Sequence, residues 1–214
     1  MRTRLRRKLD ETTEGYWSDD ELNDYINEAY YYYWQWLLNA RDNRALKSTT
    51  LNIVAGTAEI ALPSDFIAAR LVEKVEDNAT YPIEWFERFD ESNYTSGVTY
   101  SSHYPNFTVR FVGSNLVLEP TPNTSETGGI KLTYYYYPTE LTDDDHSPDA
   151  GFSPLYHDIL PFKASTYAKT KEESYGGGAP VGSWEFLCQQ KEQQFKASIE
   201  LPSVQRTYAS PFYI

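Results

Sequence analysis

The stretch Ser18-Asp19-Asp20-Glu21-Leu22-Asn23-Asp24-Tyr25-Ile26-Asn27-Glu28-Ala29-Tyr30-Tyr31-Tyr32-Tyr33-Trp34-Gln35-Trp36-Leu37-Leu38-Asn39-Ala40 decides how the chain begins to fold. Ser18 with Glu21 three residues on is a capping box: the hydroxyl takes an orphan N–H and the carboxylate reaches back. Asp19, Asp20 and Glu21 suit the positive end of a helix dipole. Leu22, Tyr25, Ile26, Ala29, Tyr33, Trp36, Leu37 and Ala40 then recur with the period of an amphipathic helix. Tyr30, Tyr31, Tyr32 and Trp34 widen the aromatic surface beyond one stripe. Interfaces favour Tyr and Trp, so we expect some of these four to face another subunit. The alternative is a helix buried on two sides within one subunit.

Outward from this helix the period changes. Leu51 and Ile53 alternate with polar neighbours, and Ala55-Gly56-Thr57 reads as a turn. Phe107, Val109 and Phe111 alternate with Thr108 and Arg110. Gly113-Ser114-Asn115 turns the chain into Leu116-Val117-Leu118, and Gly128-Gly129 leads into alternating Ile130, Leu132, Tyr134 and Tyr136. One-sided alternation predicts antiparallel sheet with one wet face. Ile83 to Asn93 is expected to hold a short helix carrying Trp85, Phe86 and Phe89. Helical period returns after Pro154, a residue suited to a first helical turn. Pro161 places the start or a kink of the main helix near Leu160, since an interior proline costs about 3 kcal/mol. Gly176-Gly177-Gly178 ends it. Trp184, Leu187, Cys188, Phe195 and Ile199 share the face of a last helix that Pro202 stops.

The expected fold is therefore α+β. N- and C-terminal segments form a helical bundle with an inserted antiparallel β-sandwich or barrel-like domain. The expected boundaries are a helical segment over 1–47, the β-domain over 48–140, helices completing the bundle over 141–201 and an extended tail over 202–214.

Composition bounds the function. In 214 residues, 40% hydrophobic and 16% aromatic content excludes a disordered chain and supplies one sizeable core or two small ones. No apolar run reaches the length of a membrane span. One cysteine excludes a disulfide scaffold and fits a reducing compartment. A net charge of −12 argues against general nucleic-acid binding. The charge is uneven, because Arg2, Arg4, Arg6, Arg7 and Lys8 form a basic arm and leave −17 on the rest. That arm looks like the start of a signal peptide, but Asp10, Glu11 and Glu14 follow where an apolar region would be needed. Secretion is not expected, and the sequons at Asn78, Asn93, Asn106 and Asn123 read as chance matches. We expect the arm to make a local electrostatic contact with an acidic neighbour or with DNA.

Catalytic patterns are sparse. His103, His146 and His157 have no second histidine or cysteine at metal-ligand spacing. Asp143-Asp144-Asp145 lacks the spacing and the final Glu of a calcium loop. Phosphate-binding loops, dinucleotide fingerprints and nucleophile elbows do not occur. Cys188 lies on an apolar helical face, where it reads as a buried small hydrophobe. We therefore expect no catalytic, cofactor or metal residues and no enzymatic activity.

The order of parts resembles a known family. The capped helix Ser18-Asp19-Asp20-Glu21-Leu22 runs into Asn27-Glu28-Ala29. A hairpin and Leu62-Pro63-Ser64-Asp65-Phe66 follow. Next come the strand Leu132 to Tyr137, Pro138, the Asp143-Asp144-Asp145 loop and a helix around Tyr156 to Ala168. This layout is similar to the head-to-tail adaptor (connector) proteins of tailed bacteriophages, of the tail tubular protein A and tail accessory factor type. The resemblance implies a helical bundle interrupted by a β-domain. It also implies a virion protein that forms a ring, commonly of twelve copies, between the portal and a tail or nozzle protein, continuing the double-stranded DNA channel. Assembly would occur in the bacterial host cytoplasm. In several adaptor lineages a C-terminal extension docks on the portal, so Tyr208, Phe212, Tyr213 and Ile214 are expected to bind it. A ring uses heterologous contacts, which surplus aromatics would supply, and an acidic channel wall would pass DNA without holding it.

Two other classes stay open on the residues alone. Tyr134 to Tyr137, Trp85 and Phe86 would suit a carbohydrate-binding β-sandwich of a phage or bacterial surface protein. Dispersed carboxylates would suit a hydrolase with a raised-pKa acid in a pocket.

Overall fold

Ser18 caps the longest helix: its side chain accepts the Glu21 amide at 3.2 Å, and α2 runs over Asp19–Asn39 behind it. The box is half used. The Glu21 carboxylate is taken by Lys171 and by the Tyr25 hydroxyl, the latter at 3.3 Å. The helix closes without glycine. Arg41 adopts φ 52°, its amide bonds Leu38 O at 3.0 Å, and the Asp42 amide bonds Leu37 O at 2.9 Å. This pair of bonds is a Schellman closure, and a left-handed arginine costs about 1–2 kcal/mol against glycine.

The computed structural model describes residues 1–11, 15–76, 79–83, 85–86, 108–143, 147–174 and 182–200. Several expectations lie outside these residues: Phe89, Phe107, His103, His146, Asp144, Asp145, the Gly176-Gly177-Gly178 stop, Pro202 and the whole tail with Tyr208, Phe212, Tyr213 and Ile214. The chain divides into two compact units, one of Met1–Ala45 with Pro138–Ile214 and one of Leu46–Tyr137.

The first unit is helical. The basic arm forms α1, Arg2–Lys8, which packs on α2 and on α3, Ile159–Ser174; α4, Gly182–Glu200, packs on α3. Pro161 stands third in α3, within the first turn, where no intrahelical N–H is needed. Pro154 opens a short 3-10 turn, Pro154–Tyr156, ahead of that helix. The core is largely aromatic. Tyr30 meets Trp34 and Phe152 edge-on at 5.7 and 5.5 Å, and Phe195 of α4 meets Tyr33 and Phe152 at 5.6 and 5.2 Å. Such pairs add about 0.5–1.5 kcal/mol each to the burial itself. Gly151 is required beside this cluster, since a Cβ there would lie 2.0 Å from the Arg44 carbonyl oxygen and 3.1 Å from Trp34.

The segment after Pro138 is held to α2 by polar side chains. Buried Asn27 donates to Leu141 O at 3.0 Å and accepts the Leu141 amide at 2.8 Å, as a neighbouring strand would. The Tyr30 hydroxyl accepts the Asp149 amide at 2.8 Å, and the Asp149 carboxylate accepts the Thr139 amide at 2.7 Å.

The second unit is two four-stranded sheets. One is ordered β1 (Leu46–Ile53), β8 (Glu126–Tyr136), β3 (Phe66–Glu76), β4 (Ala79–Pro82). The other is β2 (Glu59–Ala61), β7 (Asn115–Glu119), β6 (Thr108–Val112), β5 (Trp85–Phe86). All pairings are antiparallel except β5 with β6, which run parallel. The α+β class with antiparallel sheets is as expected. The helix expected from Ile83 is corrected at Trp85 and Phe86, which pair with Val109 and Arg110 as a strand. The single wet face expected of β8 is also corrected at its C-terminal end: Tyr134, Tyr135 and Tyr136 point to alternate faces and all three are buried, so both faces are covered there. The Leu62 to Phe66 motif has a structural role here. Asp65 accepts the Tyr134 hydroxyl at 2.8 Å and Lys47 Nζ at 2.7 Å, and Phe66 stacks on Phe111 at 5.6 Å. Burial pulls the Asp65 carboxyl up, but the two donors outweigh it and hold it below the ordinary Asp range.

Candidate functional site

Helix α1 is a short cationic helix whose one buried apolar residue, Leu5, anchors it in the helical unit. Its cations divide into two groups. Arg6 points inward, with 8% of its side chain exposed, and pairs with Glu11 at 3.0 Å and with Asp19 while donating to the Trp17 carbonyl at 3.1 Å. Arg2 also meets Asp19, at 3.3 Å. These two neutralise the acidic first turn of α2 and belong to the fold. Of the five arm residues, Arg4, Arg7 and Lys8 look outward.

Arg4, Arg7 and Lys8 line an open cleft of about 280 Å³ together with Asp158, Pro161 and Phe162 at the start of α3. Arg4 pairs with Asp158. Lys8 Nζ sits 3.2 Å above the Phe162 ring, and Lys191 of α4 stands 5.1 Å from the same ring. Burial pushes the Lys8 ammonium down, Asp158 partly opposes it, and Lys191 and Arg4 push it down further. Four cations thus converge on one aromatic floor with a single carboxylate. Arg7 has no carboxylate partner among the described residues. The arm announced part of this cleft in the sequence; Phe162 and Lys191 join it only through the packing of α3 on α1 and of α4 on α3.

On α2 the exposed residues Asp20, Asp24, Glu28 and Tyr31 fall at four- and three-residue spacing and form one stripe. Among the described residues no cation pairs with Asp20, Asp24 or Glu28. Burial and the nearby Glu140 push the Tyr31 hydroxyl above its ordinary range. Of the four aromatics, some of which were expected to face another subunit, Tyr30 and Trp34 are buried in the core of their own unit. Tyr31 is exposed and Tyr32 half-buried. Tyr32 packs against Tyr33 and Trp36 at 5.1 and 5.2 Å.

The remaining candidate chemistry is structural in geometry. Cys188 is 3% exposed on the inner face of α4, 3.7 Å from the Tyr33 hydroxyl, and burial pushes its thiol up. Tyr33 donates to Glu192 at 3.0 Å, and Lys163 meets the same carboxylate at 3.2 Å. His157 Nε2 is 3.0 Å from the Phe152 carbonyl, with its ring stacked on Phe152. Tyr134, Tyr135 and Tyr136 are buried and offer no platform to a sugar; Tyr137 is exposed. Among the described residues no group of three or more His, Cys, Asp or Glu converges as a metal site, and no helix is long and apolar enough to cross a membrane.

No curated protein matches the chain. The resemblance to phage adaptors holds at the level of a family and not of the tail tubular protein A type. The model of a family described as SU10 adaptor protein matches residues 1–211, nearly the full length, and the protein belongs to that family.

Proposed function

We propose that the protein is a structural virion subunit that closes into a ring between the portal and the tail of a phage and continues the DNA channel. The observation that carries this reading is the adaptor-family match over residues 1–211. The reading gives the chain no catalytic role and no cofactor. Portal and tail or nozzle proteins are its partners, and double-stranded DNA passes through without sequence-specific contact. The net charge of −12 supports passage, because a wall that does not neutralise phosphates gains nothing from counterion release. Twelve copies is the closure expected from phage adaptors, with assembly in the host cytoplasm. The proposed portal anchor is the tail, with Tyr208, Phe212, Tyr213 and Ile214. Each such side chain contributes about 1.5–3 kcal/mol when fully buried. That is enough for a few of them to offset the ordering of a short extended segment.

Mass measurement of the protein alone and mixed with its portal tests the reading. A closed ring of twelve 24.7 kDa chains weighs about 296 kDa. A protein that stays monomeric in both samples, or stops at a two-fold dimer, contradicts it.

A further inference from the structure

The outward cations of α1 and the exposed acids of α2 lie on different helices of one unit; Arg4 pairs with Asp158, whereas Arg7, and on α2 Asp20, Asp24 and Glu28, have no opposite-charge side-chain partner among the described residues. The cleft brings Arg4, Arg7, Lys8 and Lys191 around Phe162 with Asp158 as the one acid. The stripe carries Asp20, Asp24 and Glu28, with no cation partner among the described residues, and Tyr31 follows them. Acids four residues apart on one helix repel and weaken it in isolation. The same is true of the convergent ammonium and guanidinium groups. Two complementary patches on one chain are what a head-to-tail contact between identical copies requires.

We propose that the cleft formed by α1, α3 and α4 receives the acidic stripe of α2 from a second copy of this chain. Asp24 and Glu28 meet Arg7 and Lys191. The inference rests on the ring reading and names one subunit contact within it.

A second copy fits the cleft better than a phosphate backbone does. A DNA-binding surface gains affinity from many phosphate contacts, whereas this one is a single cleft on a strongly acidic chain.

Charge reversal tests the pairing. One variant carries Arg7→Glu with Lys191→Glu, a second carries Asp24→Lys with Glu28→Lys, and a third carries all four changes. Ring formation is read by mass, with the portal present, at a series of salt concentrations. We expect each two-residue variant alone to associate about a hundredfold more weakly at low salt, since like charges then face each other. Mixing those two variants restores alternating rings, and the four-residue variant closes rings by itself. That restoration is independent of any loss of folding, because a misfolded subunit is not rescued by its complement.

If both two-residue variants assemble as the wild type does, or if neither the mixture nor the four-residue variant regains rings, the pairing is wrong and the ring reading stands. Intact rings that lose DNA only in the Arg7 and Lys191 variant make the cleft a nucleic-acid contact and overturn the inference. A wild-type protein that never closes a ring removes both readings.

Discussion

Asn27→Leu removes the clamp between α2 and the segment after Pro138 while nearly conserving volume. In the wild type the Asn27 amide satisfies both backbone groups of Leu141, at 3.0 and 2.8 Å, and Asn27 is 4% exposed. Leucine makes neither bond, so a buried N–H and a buried C=O lose their partners. Each orphan costs about 1–3 kcal/mol. The added apolar side chain returns part of that, leaving a net loss of about 3 kcal/mol. For a chain of this length that corresponds to roughly 6–12 °C in Tm. Urea unfolding followed by tryptophan fluorescence suits the measurement, because Trp17 and Trp34 are buried in the same helical unit. With two units present, the helical transition is fitted by itself. A midpoint that moves by less than the equivalent of about 0.5 kcal/mol, at unchanged slope, would refute the claim that Asn27 acts as a strand-like partner.

Arg6→Gln should destabilise the helical unit by about 1–3 kcal/mol, because it takes the charged donor from the part-buried Glu11 carboxylate and the Trp17 carbonyl, while Asp19 keeps Arg2. Arg7→Gln should stay within about 0.5 kcal/mol, and equal urea midpoints for the two variants would contradict this division of the arm. Burial pushes the Tyr33 hydroxyl far above its ordinary 10.0, with Cys188 and Glu192 adding to the shift. Burial also pushes Tyr167 up to about 12. A raised tyrosine pKa adds stability that is complete below the unfolded value near 10 and is lost as pH rises above it. Stability should therefore fall steeply above about pH 10, and Tyr33→Phe should flatten that fall; parallel alkaline profiles would rule it out. Deleting Ser203 to Ile214 should leave a folded subunit that no longer joins the portal. Unchanged portal affinity would place the anchor elsewhere, and loss of the fold would make the tail a core element.

Local signals carried much of the architecture. Ser18 predicted the start of α2, Pro161 predicted the start of α3 to within two residues, and the Gly113-Ser114 turn predicted the β6–β7 hairpin. Readings that depend on neighbours distant in sequence fared differently. Alternation in Tyr134 to Tyr137 does not reveal what covers each face of the sheet, and three consecutive tyrosines, which point to alternate faces, are buried where one wet face was expected. Trp85 and Phe86 pair with a strand more than twenty residues away, which no helical or strand period could announce. The arm was visible as charge, yet only the fold turns Arg6 inward and brings Lys191 to the Phe162 ring. Likewise Tyr30 is interior because Phe152, itself packed on Phe195, returns to it from late in the chain, and Trp34 lies beside Gly151. The family relation was legible because it rests on the order of parts and not on a catalytic residue.

The proposed function rests on a ring of this chain at the junction of portal and tail. Single-particle reconstruction of the virion neck, with the protein's position fixed by a tag fused to the chain, tests it most directly. A closed cyclic ring of this chain, coaxial with the portal and with twelve copies around the channel, is the expected result. The tag appearing as a single copy, as a two-fold pair, or away from the portal–tail junction would contradict it.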